Sequence, residues 1–222
     1  MDSDISIGYF GSYLRYCTLS KKDASPLIGA DNLVGDRYSI EFDTMDGSTV
    51  AWMVNRFGAR AGYFEPDDSR RLQVCMARGW KVTALLSFVA YTNNPKPGKY
   101  WGEAAVICYD PHRGGQPFEN FITSIGKMMA DSLRPDVSLS SDGVRRVLES
   151  DGRWVPSSRV PMPESDSSTL ILKNDEKFSE KIIEIGRSKN KGCYVISWLF
   201  IAALVAALVF LGYLFLSSLG FI

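Results

Sequence analysis

Apolar and polar side chains alternate with a period of two through much of the first half of the chain. Tyr38, Ile40 and Phe42 interleave with Ser39, Glu41 and Asp43, and the alternation resumes at Val50, Trp52 and Val54. A period of two puts each set on its own face of a strand, so two strands are predicted here. Asp46-Gly47 between them is a hairpin signal. Residues 60–64 read as a further short strand. Glu65-Pro66 then opens a helix with Leu72, Cys75 and Met76 on one face, stopped by Gly79. Two more strands are expected at 82–91 and 100–109, and another at the N-terminus near 5–10. Five or six short strands with one inserted helix suit a mainly β, α+β fold, a small OB/SH3-like, partly open β-barrel.

Beyond residue 115 the period changes to that of a helix. Phe118, Phe121, Ile122, Ile125, Met128 and Met129 predict an amphipathic helix over 118–133 that packs on the barrel, and a shorter helix follows at 142–149. Residues 151–169, with Pro156, Pro161, Pro163 and five serines, read as a linker. From 170 to 191 the pattern is that of an amphipathic juxtamembrane segment, with Phe178, Ile182 and Ile185 among charged neighbours. The chain thus divides into a barrel domain at 1–115, packed helices at 116–150, the linker, the juxtamembrane segment and a tail.

Charge sharpens the reading of that tail. Lys+Arg and Asp+Glu number 25 each, and none of them falls in the 31 residues from 192 to 222. Residues 193–216 are 24 uncharged, mostly apolar side chains, which as a helix cover about 36 Å and cross a hydrocarbon core of about 30 Å. The apolar side chains run all around the helix with no polar face to meet water, which excludes a core helix of a globular domain. Lys181, Arg187, Lys189 and Lys191 precede the span, which predicts a single-pass, tail-anchored protein with its N-terminal part on the cytoplasmic side. Ala202, Ala203, Ala206 and Ala207 form small-xxx-small pairs, which suit a homodimer through the span and are also ordinary in spanning helices.

Candidate chemistry is sparse. The single histidine, His112, stands in a turn-rich Asp-Pro-His-Arg-Gly-Gly stretch, and Cys17, Cys75, Cys108 and Cys193 have no metal-ligand spacing. No phosphate-cradling glycine motif is present. The reading is therefore non-enzymatic, with no cofactor. Residues 56–113 carry 9 basic against 5 acidic side chains, interleaved with Tyr63, Trp80, Tyr91, Tyr100 and Trp101. Cations for phosphates beside rings for bases are what single-stranded nucleic acid needs; a solvated charged face over core aromatics has the same composition.

One stretch looks like a known pattern. Asp46-Gly-Ser-Thr-Val-Ala-Trp-Met-Val54, then Gly58, Ala61-Gly-Tyr-Phe64, a helix with Leu72 and Gly79 before a long strand, resembles the HIRAN domain. The likeness spans about residues 35 to 110, with Val34-Gly-Asp-Arg-Tyr38 similar to that family's opening segment. The family's Arg-Glu-Pro-x-Asn-Pro-x-Asp segment is replaced by Ile40 to Asp46. The resemblance implies an OB-like barrel that binds the 3′ end of single-stranded DNA. By position it points to Arg37, Tyr38, Asp46 and Tyr63, to which the basic and aromatic pattern adds Arg60 and Trp101. The expected function is a tail-anchored protein presenting a cytoplasmic binding barrel to single-stranded nucleic-acid ends or nucleotides. Its alternatives are a membrane-perturbing effector triggered by clustering and a scaffold that recruits a protein partner.

Overall fold

The computed structural model describes residues 7–19, 27–29, 31–93, 98–164 and 168–174. The expected span, and the juxtamembrane segment beyond Asn174, lie outside the described residues. Seven strands form one antiparallel sheet: β1 (Tyr9–Cys17), β2 (Arg37–Met45), β3 (Ser48–Val54), β4 (Arg60–Phe64), β5 (Lys81–Thr92), β6 (Lys99–Tyr109) and β7 (Thr169–Lys173). Their order is β2-β3-β4-β1-β6-β5-β7.

The first six strands close into a barrel, because β2 also pairs with β5, Arg37 opposite Leu85 and Tyr38 opposite Ala84. Closure replaces the partly open barrel expected from the strand count, and β5 explains it. One edge of β5 is occupied by β6 along its length, with a bulge between Leu86 and Phe88. The other edge is shared, serving β2 at Ala84 and Leu85 and β7 from Val89 to Thr92. Closure gives each of the six barrel strands a neighbour on both sides, though the β2–β5 and β1–β4 seams are paired at only two positions each.

The β2–β3 hairpin turns at Asp46 (φ 51) and Gly47 (φ 77), two successive left-handed residues as a type I′ turn requires. Inside the barrel, Tyr16, Tyr38, Met53, Phe64, Leu86 and Val106 pack with Leu72 and Cys75 of α1 (Pro66–Ala77). Ser69 ties α1 to the sheet: its hydroxyl donates to the Phe64 carbonyl at 2.9 Å and accepts from the Ala51 amide at 2.8 Å. Ser69 shares the buried face with Leu72 and Cys75, whereas Met76, expected there, is exposed in the last turn.

A second core lies outside the barrel. Phe118, Phe121, Ile122, Ile125 and Met129 of α2 (Pro111–Ala130) cover Tyr9, Leu85, Ala105, Ile107 and Tyr109 on β1, β5 and β6. Phe118 stacks between Tyr9 and Tyr109, with centroids 5.3 and 5.0 Å away. The helix starts seven residues earlier than its apolar period suggests. Asp110 caps it by accepting from the His112 amide, and the backbone leaves helical geometry at Gly114, before Pro117. α3 (Ser141–Glu149) adds Val144 and Val147 to the same core.

The Pro/Ser-rich stretch also differs from expectation. Over its described residues 151–164 it lies along the protein, not free of it: the Asp136 amide donates to Ser158 O, the Val160 amide to Arg134 O, and Trp154 and Val155 pack on the outer core. Two segments, 134–137 and 158–160, thus form a strap across β1. Gly11 permits the approach, since a Cβ there would stand 2.0 Å from the Val137 carbonyl oxygen. After the strap, β7 joins the sheet at the junction of the expected linker and juxtamembrane segment.

Candidate functional site

The six residues singled out in the sequence separate into three environments. Alternation along β2 sends Arg37 outward and Tyr38 inward. Arg37 is taken up by α2: Nη1 donates to Glu119 Oε2 at 2.6 Å, and Nη2 to Glu119 O and Thr123 Oγ1. Lys81 and the Tyr109 hydroxyl converge on the other oxygen of Glu119. Burial pushes the Glu119 carboxyl up, but the hydrogen bonds from Tyr109 and Arg37 and the charges of Arg37 and Lys81 outweigh it, leaving the group below its ordinary range. Tyr38, only 1% exposed, is a core residue whose hydroxyl donates to Asn32 Oδ1 at 2.7 Å. Tyr38 is thus sealed in the core, while the Arg37 guanidinium, 39% exposed, is committed to α2. Asp46 stands exposed at the hairpin tip, where its left-handed backbone serves the turn.

Arg60, Tyr63 and Trp101 belong to a belt on the outer wall. Cross-strand register places Trp52 opposite Tyr63, Tyr63 opposite Cys17, and Cys17 opposite Trp101, one row over β3, β4, β1 and β6. With strands about 4.8 Å apart, the row covers roughly 14 Å. Trp52 and Tyr63 pack with centroids 5.3 Å apart, and the Arg60 guanidinium lies 5.1 Å from the Trp52 ring centroid while bonding Asp43 at 2.7 Å. That bond, with the Thr44 amide, holds the Asp43 carboxyl below its ordinary range.

At the far end of the row stands Arg15, which the sequence reading did not select. Its guanidinium lies 4.1 Å from the Trp101 ring centroid. Glu103, directly across on β6, is already engaged by Arg134, so no carboxylate pairs with Arg15 among the described residues. Trp101 is itself held by an indole bond to Thr92 Oγ1 at 2.8 Å and an edge-on contact with Phe88. A signal for Arg15 exists in the sequence: Tyr13, Arg15 and Cys17 alternate with Leu14 and Tyr16, the same period that marks β2.

No protein-family model, curated protein or solved structure matches the chain.

Beside the belt, the strap bounds a cleft of about 480 Å³. Its buried member is Arg134, whose guanidinium lies 4.5 Å from the Tyr13 centroid and 5.3 Å from that of Phe88. Nη2 meets Glu103 at 2.5 Å and Nη1 meets the Met162 sulfur at 3.0 Å. Burial raises the Tyr13 phenol well above its ordinary value although the Arg134 charge pulls it down. With Asp136 and Glu164 also on its wall, the cleft carries more negative than positive charge and is a poor seat for phosphate. The belt, with Arg15, Arg60 and the half-buried Tyr63, suits an anionic ligand with planar groups better.

Proposed function

We propose that the chain is a non-enzymatic, single-pass membrane protein whose barrel faces the cytoplasm and binds single-stranded nucleic-acid ends or nucleotides on the belt. The observation that carries this reading is Arg15, a guanidinium 4.1 Å from the Trp101 ring centroid and without a carboxylate partner among the described residues. Trp52 and Trp101 are each 8% exposed, so bases would stack on the arginine planes and on Tyr63 rather than on the indoles. Arg15 and Arg60 would supply phosphate contacts. The HIRAN-like, OB/SH3-like character expected from the sequence is compatible with a closed barrel carrying one inserted helix, and the anchor rests on the uncharged run at 193–216.

The test uses the full chain in phosphatidylcholine nanodiscs, titrated with fluorescent single-stranded DNA at low and high salt. Binding should weaken with salt by about 0.7 logarithmic units per phosphate neutralised and per decade of salt. Arg15→Ala should cost about tenfold in affinity, the lower range for loss of one stacking contact. No binding at low salt, or binding indifferent to salt, would refute the nucleic-acid reading.

A further inference from the structure

The cleft bounded by the strap has no part in the binding proposed for the belt, and its chemistry is different. Its volume of about 480 Å³ is within the range of small-molecule sites. On its wall stands Arg134, 8% exposed and short of oxygen acceptors. A guanidinium offers five N–H donors. Among the described residues Nη2 reaches Glu103 Oε2, Nη1 reaches only the Met162 thioether, a weak acceptor, and the buried Nε has no partner. Unmet buried donors cost free energy, and a ligand oxygen arriving beside the Met162 sulfur would meet those at the Nη1 end.

The rest of the wall carries the opposite charge. Asp136 Oδ1 is taken by the Ser138 amide and hydroxyl at 2.9 and 2.8 Å, which leaves Oδ2 without a hydrogen bond among the described residues. Glu164, exposed on the same wall, makes no ion pair among the described residues. Beyond burial and the opposing Arg134 charge, Asp136 and Glu103 both push the Tyr13 phenol up, so their fields meet in the cleft. One guanidinium against three carboxylates leaves the cleft at a formal charge of −2. A ligand that answers both features has an oxygen anion for Arg134 and more than one cation for the carboxylates. We propose that the cleft binds a free basic amino acid, with its carboxylate at Arg134 and its two cationic groups toward Asp136 and Glu164. The net positive charge of such a ligand matches the field, which an acidic amino acid would oppose. The site is separate from the belt, so amino-acid binding and nucleic-acid binding stand or fall independently.

The full chain in phosphatidylcholine nanodiscs is titrated calorimetrically with L-lysine, with cadaverine, which lacks the carboxylate, and with L-glutamate. Lysine should bind saturably, cadaverine several-fold more weakly despite its larger net charge, and glutamate not at all. Glu164→Gln, at an exposed position, should weaken lysine binding about two- to fivefold. Arg134→Met combined with Glu103→Met removes one charge of each sign, keeps the cleft's formal charge, and should lower lysine to the affinity of cadaverine. The thermal midpoint of that double variant, measured beside the titration, reports that it is folded. No saturable lysine binding to wild type, or cadaverine or glutamate binding as tightly as lysine, would overturn the site. So would a folded double variant that binds lysine as wild type does.

Discussion

On the wall covered by α2, Arg37 gives three hydrogen bonds to the helix, whereas on the belt Arg15 lies over Trp101 and meets no carboxylate among the described residues. Both are outward residues of barrel strands. What separates them is the layer outside. α2 brings Glu119 and Thr123 within reach of Arg37, along with a dry core around Phe118. At the belt, Glu103 is drawn away from Arg15 by Arg134, which needs a counter-charge because it is buried. One wall is thus built for stability and the other keeps a cation available.

Breaking the covered wall should give the largest effect. Phe118→Ala removes a ring stacked between Tyr9 and Tyr109 and should destabilise the fold by about 3–5 kcal/mol in a denaturant titration. Tyr63→Ala, at a half-buried belt position, should cost only about 1 kcal/mol. Equal losses would show that the walls do not differ.

Next comes the residue between the two regions. Arg134→Met strands the Glu103 carboxylate and should cost about 3 kcal/mol, with faster proteolysis of 156–164. Adding Glu103→Met should recover most of that loss, and a further decrease would mean the pair is not the cause. Arg15→Ala, by contrast, should leave stability within about 0.5 kcal/mol while weakening nucleic-acid binding.

The smallest effect is electrostatic. The Glu119 carboxyl is held below its ordinary value near 4.5, so its stabilisation is complete above that value and is lost as pH falls through the depressed folded value. Thermal midpoints between about pH 6 and pH 3 should fall more steeply for wild type than for Glu119→Gln. The side chain is about a third exposed, which limits the difference to under about 1 kcal/mol.

Period-two and period-3.6 patterns made most elements legible before any coordinates: the Asp46-Gly47 hairpin, β4, α1 behind Pro66, and the apolar face of α2. Three features were not legible, for physical reasons. β7 carries Leu170 to Leu172 as a short apolar run, and its pairing depends on a free edge of β5 that no local pattern announces. The strap is rich in proline and serine, which resembles a linker until Gly11 lets it approach β1. Arg37 and Tyr38 fit a sequence resemblance, but the direction of each side chain is set by strand phase, and what it meets is set by α2 and Asn32. For the belt, the sequence marked Arg60, Tyr63 and Trp101; the register that aligns them with Trp52 and Cys17 is a tertiary property.

The division of one β5 edge between β2 and β7 has a mechanical meaning. A pull transmitted along the chain from beyond Asn174 loads the β7 ladder and the Lys173 ammonium first, while the ladder that shuts the barrel is a different one, nearer the start of β5. This strand, the last among the described residues, can peel away as a fuse, and the ring of six strands behind it stays intact.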